Sequence, residues 1–526
     1  MKECPKELKY PVGIQTFRKI REDGYIYVDK TGYIPHLLRG QFYFLSRPRR
    51  FGKSLLLSTL EAFFNGEKEL FEGLDIAETE TEWDKYPILY LDLNNRYYNS
   101  YASLIAQLNA NLDKWESLYG DEKKERSVEE RFAWVIEKAY EKTGKQVVIL
   151  VDEYDKPLLS VIGNEELTEQ YRSTLKAFYS NLKTQDRYIK FAMLTGVARF
   201  SKVSIFSDLN NLRDISFEEK YSAICGITES EIEKYLKLGI AEIAERLSKP
   251  ELDILRDIKQ RYDGYHFSEE SPDIYNPFSL MNLFAKRKFG NFWFESGTPE
   301  FLVSLLKKEG WMIKDLAPIQ FDAEELASAG ILSRNPVPIF YQTGYLTIKG
   351  YNALYDEYIL DYPNIEVKNS FLKFLLRSYL KEDSSSHNLS IQNFGREIRE
   401  GKPESFMQRF NSLLAGMGYS EKGSPEARFQ DAVYLIFTLL GEYATVERRT
   451  SDGRIDLIVE TSDFLYIFEF KINSDAKDAL NQIKDKEYWL PFRFSNKKIF
   501  LIGASFDSKS RKLSDYIVEE IQKVNI

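Results

Sequence analysis

Residues 42–60 read FYFLSRPRRFGKSLLLSTL: an apolar run, a basic loop, then Gly52-Lys53-Ser54 opening a helix-like stretch. A triphosphate needs backbone N–H groups at a helix N-terminus, a lysine for its β and γ oxygens and a hydroxyl for Mg²⁺. Gly52, Lys53 and Ser54 supply that set. The usual first glycine of such a loop would fall at position 47, which is arginine, so these residues alone also fit a basic turn before an ordinary amphipathic helix. A second run, VVILVDE (147–153), reads as a buried parallel strand ending in Asp152-Glu153. Ligands bind at the carboxyl ends of such strands, where Asp152 would hold Mg²⁺ with Ser54 and Glu153 would polarise water. A third, FAMLTG (191–196), brings Thr195 to a similar edge, as a γ-phosphate sensor or as a strand-end cap.

A different chemistry is suggested by RIDLIVETSDFLYIFEFK (454–471). Two strand-like runs flank a turn at Thr461-Ser462-Asp463, and a hairpin symmetric about Ser462-Asp463 sets Asp456 opposite Glu469. Facing carboxylates repel unless a divalent cation lies between them. Lys471 shares the face of Glu469. Asp456 and Glu469 as Mg²⁺ ligands, with Lys471 orienting water or offsetting charge, would suit phosphodiester hydrolysis. A Lys–Glu pair on a half-exposed hairpin fits the spacing too, and a one-residue slip would separate the acids.

The rest of the composition narrows the alternatives. Three histidines (His36, His266, His387) and two cysteines (Cys4, Cys225) exclude a disulfide framework and Cys- or His-rich zinc sites. Net charge is −9, which argues against a bulk nucleic-acid coat. Residues 1–60 nevertheless hold 12 Lys/Arg against 5 Asp/Glu, a local positive field suited to a phosphorylated ligand. The first residues have no apolar signal core and no run approaches 18 apolar residues, so a cytoplasmic location without membrane contact is expected.

The stretches GIQTFRKIREDGYIYVDKT, FLSRPRRFGKSLLLSTLEAFF, VILVDEYDKPLL and LTGVARFSKVSIFSDLNNL resemble the bacterial AAA-ATPase-like family over roughly residues 11–230. Proteins of that family commonly carry a PD-(D/E)XK nuclease-like domain at the C-terminus. In the family the loop typically reads SRPRRFGKS, so Arg47 is typical of it. The resemblance implies ATP and Mg²⁺ as cofactors, nucleotide contacts at Lys53 and Ser54, and Mg²⁺ and water roles at Asp152 and Glu153. Arg199, after the third strand, is a candidate γ-phosphate or partner-subunit contact, or else a surface ion pair. Over roughly 420–510 the order of elements resembles the PD-(D/E)XK superfamily. Asp456, Glu469 and Lys471 match its catalytic motif, Glu426 and Gln482 match its accessory helix positions, and Ile455 stands where the motif name has proline.

These groups must be positioned by an α/β chain. Strands at Phe42–Leu45, Ile88–Leu93, Val147–Val151 and Ile189–Thr195 alternate with helices at Leu55–Phe64 and Ala102–Lys142, which predicts a parallel P-loop NTPase sheet. The expected division is an ATPase domain (1–215), a helical lid with a candidate winged helix (216–350), a helical connector (351–419) and a small restriction-endonuclease-like α/β domain (420–526). In the last, a helix at Glu426–Leu440 and a closing helix at Lys509–Lys523 are expected. The aromatics of FYQTGYLTI (340–348) read as core rather than as a base-stacking platform. Two functions remain open. One is an ATP-hydrolysing protein with a Mg²⁺-dependent nuclease domain acting on nucleic acid, DNA foremost, as a homo-oligomer or alone. The other is a nucleotide-dependent interaction switch whose nuclease fold only binds.

Overall fold

Parallel strands need helical crossovers, and the alternation of short apolar runs with helices builds that layer. The computed structural model describes residues 8–79, 82–120, 125–199, 209–294, 300–328, 335–379, 390–417, 424–451 and 454–521. Strands β1 (Phe42–Ser46), β2 (Ile88–Asp92), β3 (Val147–Asp152), β4 (Ile189–Gly196) and β5 (Arg213–Asp214) form one parallel sheet, ordered β2-β3-β4-β1-β5. Every position of β3 is buried, as a Val/Ile/Leu run covered on both faces should be. The carboxyl ends of the neighbouring strands β3, β4 and β1 therefore share one rim.

Helix α1 (Lys53–Phe64) follows β1. The long helical region expected from Ala102 to Lys142 contains α2 (Tyr101–Tyr119) and α3 (Val128–Thr143). Gly120, at φ +135°, ends the first, and a Ser127–Glu130 capping box starts the second. Helix α4 (Glu165–Thr184) leads back to β4.

The chain divides into two compact units, Met1–Thr298 with Pro318–Lys368, and Pro299–Ala317 with Asn369–Ile526. Beyond the parallel sheet, the first unit is mainly helical. It includes α5 (Pro277–Lys286), where Asn276 Oδ1 accepts the Ser279 N–H at 3.0 Å to cap the first turn. It also holds a three-stranded antiparallel sheet of β6 (Ile319–Asp322), β7 (Thr347–Asn352) and β8 (Glu357–Asp361), ordered β6-β8-β7. Among the described residues two short helices, α6 (Ala323–Ser328) and α7 (Val337–Gln342), lie between β6 and β7, the order expected of a winged helix. Every residue of α7 is buried, which leaves it no face to enter a DNA groove. Phe340, Tyr341 and Tyr345 of the FYQTGYLTI stretch are likewise core.

In the second unit, α8 (Pro403–Gly416) and α9 (Pro425–Leu440) precede a sheet of β9 (Thr445–Ser451), β10 (Arg454–Glu460), β11 (Phe464–Ile472), β12 (Lys498–Asp507) and β13 (Lys512–Ile521), ordered β13-β12-β11-β10-β9. Only β11 and β12 run parallel, and α10 (Ala476–Asp485) makes their crossover. Phe429 and Phe437 of α9 pack on Phe470 and Phe468, while Leu480 and Ile483 of α10 cluster with Leu465 and Ile467. The two helices thus cover opposite faces of β11.

The expected closing helix at 509–523 is instead strand β13, antiparallel to β12. Ile517 and Ile521 are spaced by four and join the cluster beneath α10, a spacing that suits one stripe of a helix and equally one face of a strand. A bulge turns Leu513 to the other face, opposite Phe506. The edge of β12 decides in favour of the strand. No helix among the described residues is long and apolar enough to cross a membrane.

Candidate functional site

The loop from β1 to α1 is shaped by two residues in left-handed backbone, Arg50 at φ +65° and Gly52 at φ +95°. A Cβ at Gly52 would meet nothing within 4 Å, so the demand there is conformational rather than steric. The turn presents the first N–H groups of α1, which have no acceptor within the helix. Lys53 is buried, its Nζ donating to the carbonyls of Arg47 (3.2 Å) and Pro48 (3.4 Å) and lying 3.7 Å from Glu153 Oε1.

Asp152 ends β3 almost fully buried, its carboxylate accepting the Thr195 hydroxyl at 2.8 Å with the Ser54 hydroxyl close by. Burial pushes its pKa up, and those two donors with Lys53 pull the other way. Glu153 follows at φ +53°, a backbone that costs a non-glycine residue roughly 1–2 kcal/mol and recurs at functional sites. Thr195 is wholly buried, and its hydroxyl orients Asp152 instead of lining the cavity.

That cavity has a volume of about 530 Å³, within the range of small-molecule sites. Arg49, Arg50, Lys53, Ser54 and Glu153 belong to its polar wall together with Lys30, Asn94 and Lys156, and Ile14 and Phe278 belong to its apolar wall. Ser54 and Asp152 are the hard oxygen pair that Mg²⁺ takes alongside phosphate oxygens. Among the described residues no three His, Cys, Asp or Glu side chains gather into a metal cage. A cation shared with a phosphate chain needs no such cage.

Arg199 lies elsewhere. Its Nε and Nη2 donate to Asp214 at 2.9 and 2.5 Å, its backbone N–H to Gln342, and its guanidinium covers Phe217. It does not line the cavity. Arg47, where the loop's first glycine would stand, is buried and donates to the carbonyls of Ser46, Ser216, Tyr221 and Ser222 while stacking 4.0 Å from the Phe267 centroid. It clamps the loop to residues far along the chain.

Two acids of this rim were given no role in the sequence reading. Asp155, fully buried, accepts the backbone N–H groups of Val197 (3.0 Å) and Ala198 (2.6 Å) and so fixes the turn after β4. Burial, then the charge of Glu153, pushes its pKa up to about 7. Asp92 ends β2 in register with Asp152, and its carboxylate accepts the N–H of Asn94, a cavity residue. The signal for Asp92 was available: an acid closing an apolar strand, the same pattern as β3.

In the second unit the strands pair Asp456 with Glu469, the register expected from the turn. Asp456 is described as a strand position only; its side chain lies outside the described atoms. Glu469 is fully buried and paired with Gly503 of β12, where an added Cβ would point 2.5 Å from Ala476 O and Leu480 N of α10. Glu469 therefore lies beneath α10, with Lys471 two residues on and half-buried on the same face. Gln482, on α10, has a buried amide nitrogen with no hydrogen-bond partner among the described residues. Glu426 sits instead in the first turn of α9, on the helix covering the other face, where its own backbone N–H, then Ser424 and Ser508, hold its carboxyl below the usual range.

Residues 11–206 match a family model described as "Predicted AAA-ATPase" (AAA-ATPase-like), and residues 424–516 match the PD-(D/E)XK nuclease superfamily. Over nearly its whole length the chain is similar to a protein of Azotobacter chroococcum mcd 1 described as "Uncharacterized protein in vnfD 5'region". The two are 38% identical over 528 residues, spanning 98% of this chain and 99% of that one.

Proposed function

This chain belongs to the AAA-ATPase-like family and carries a PD-(D/E)XK nuclease superfamily domain at residues 424–516, and on that premise we propose that it binds and hydrolyses ATP and uses the nucleotide to control a Mg²⁺-dependent nuclease-like domain acting on nucleic-acid phosphodiesters. The observation that carries the reading is the convergence of Lys53, Ser54 and Glu153 on one cavity wall, with Asp152 ending the strand beside them and held by Thr195.

In this reading the α1 N-terminus and Lys53 receive the phosphate chain, whose negative charge both complement. Ser54 and Asp152 would hold Mg²⁺, which when bound neutralises phosphate charge and fixes the leaving geometry. Glu153, at the cavity wall, takes up the attacking water and draws on its proton. Thr195 keeps the Asp152 carboxylate in one rotamer, and Asp155 keeps the following turn in place. In the second unit Asp456 and Glu469 would be the metal ligands and Lys471 the group that orients water, with Glu426 and Gln482 as accessory positions. Glu426 belongs to the helix on the far face of β11 from Glu469.

The ATPase half is tested by Lys53→Ala, expected to lower hydrolysis by roughly 100-fold or more in a phosphate-release assay. Wild type that neither binds nor hydrolyses ATP would refute it. One observation favours the second reading, an interaction switch with an inactive nuclease fold: Glu469 is wholly buried beneath α10. Under that reading Asp456→Ala changes no activity, and metal-dependent cutting abolished by the substitution excludes it.

A further inference from the structure

The charge spread over a transferring γ-phosphoryl group calls for a cation beyond the loop lysine, supplied in many NTPases by an arginine. Arg199 is committed to Asp214 and lies outside the cavity, and Arg47 is committed to four carbonyls. Among the described residues Arg49 and Arg50 are the arginines that line it, beside Lys30, which is paired with Glu231, and Lys156.

Arg50 has two properties that set it apart. Its backbone is left-handed at φ +65°, a position that glycine fills at least cost, as Gly52 does two residues later. Keeping a long side chain there makes sense when the side chain supplies something glycine cannot. Its guanidinium also lies 3.8 Å from the ring centroid of Phe278 on α5, and Phe278 is itself part of the cavity wall. Stacking occupies the face of the guanidinium and leaves its planar edge of N–H donors available. Among the described residues nothing accepts from that edge. The Trp293 indole N–H donates to the Arg49 carbonyl at 3.1 Å, which steadies the peptide leading into Arg50.

We propose that Arg50 contacts the terminal phosphate of a bound nucleoside triphosphate from within the same chain, with Phe278 as the platform that positions it. The inference rests on the ATP-binding reading above and adds to it the group that distinguishes a triphosphate from a diphosphate. Phe278 is a positioning residue: it holds Arg50 and need not touch the phosphate.

The test is calorimetric binding of ADP and of the slowly hydrolysed analogue ATPγS, with Mg²⁺, to the full chain and to Arg50→Gly, Arg50→Lys and Phe278→Leu. Arg50→Gly suits the left-handed backbone, so it separates loss of the side chain from disruption of the loop. Expected is ADP affinity within about threefold of wild type, a melting temperature within a few degrees, and ATPγS affinity reduced roughly 10- to 100-fold. Arg50→Lys should recover part of the loss, and Phe278→Leu should show a smaller loss of the same kind. An unchanged ratio of ATPγS to ADP affinity in Arg50→Gly, or an equal loss of both, overturns the assignment while leaving ATP binding intact. Wild type that binds neither nucleotide removes the ATP-binding reading and this inference together.

Discussion

At the scale of single residues, Asp152 is the group most heavily arranged by its surroundings. Burial disfavours its charge, and Ser54 and Thr195 offset that with hydroxyl donors. Thr195 acts by aiming a carboxylate, so Thr195→Val should leave nucleotide affinity within a few-fold and lower hydrolysis roughly 10- to 100-fold, as lost outer-shell partners of metal ligands do. Thr195→Ser should restore most of the rate. Equal rates for wild type and Thr195→Val in a steady-state ATPase assay would contradict this. Lys53, Ser54, Asp152 and Glu153 were legible in the sequence because each sits where an element starts or stops, and end positions show in the pattern of apolar runs. Arg47 and Asp155 were not. The carbonyls that Arg47 holds lie up to 175 residues away, and the N–H groups that Asp155 holds lie beyond the next helix and strand. A local motif carries no trace of such partners.

Elements place these groups, and two contacts between elements can be tested alone. Helix α10 lies so close on β12 that any side chain at 503 would meet its backbone. Gly503→Ala must lift α10 from the sheet, destabilising the second unit by about 1–3 kcal/mol in denaturant unfolding and disturbing the environment of Glu469. Unfolding midpoints that coincide with wild type would show that the helix gives way freely. The second contact is Asp431 of α9, which accepts the Ile313 N–H at 2.9 Å and whose pKa burial pushes up to about 7. A carboxyl protonated in the fold but ionised when unfolded takes stability away as pH rises from about 4 to 7. Asp431→Asn lacks that titration. Its stability relative to wild type should therefore grow across that window, by a few kcal/mol at roughly 1.4 kcal/mol per pH unit, and level off above it. Parallel stability–pH curves for the two proteins would exclude the effect. Strand β13 shows where pattern reading stops at this scale: Ile517 and Ile521 satisfy both periods, the bulge that turns Leu513 to the other face leaves no mark in the pattern, and only the edge of β12 chooses the strand.

On the scale of the whole molecule, the local basic excess in an acidic chain resolves into separate jobs. Arg47 is buried as a clamp, while Arg49, Arg50 and Lys53 face the cavity. The fold class, the order of the parallel strands' motifs and the Asp456–Glu469 register followed from alternating patterns that are local by nature. The compact units did not. Each is assembled from two separated stretches, with 299–317 joining the later part of the chain and 318–368 the earlier. Only long-range packing such as that of Ile313 against Asp431 decides where a segment belongs.

The central claim joins the nucleotide site to the carboxylate site, and one experiment addresses both. Wild type, Lys53→Ala and Asp456→Ala are incubated with single- and double-stranded DNA and RNA in Mg²⁺, with and without ATP, and products are resolved by size. The account predicts cutting that depends on Mg²⁺, responds to ATP in wild type, loses that response in Lys53→Ala and disappears in Asp456→Ala. Intact nucleic acid under every condition, or cutting that Asp456→Ala leaves unchanged, would contradict it.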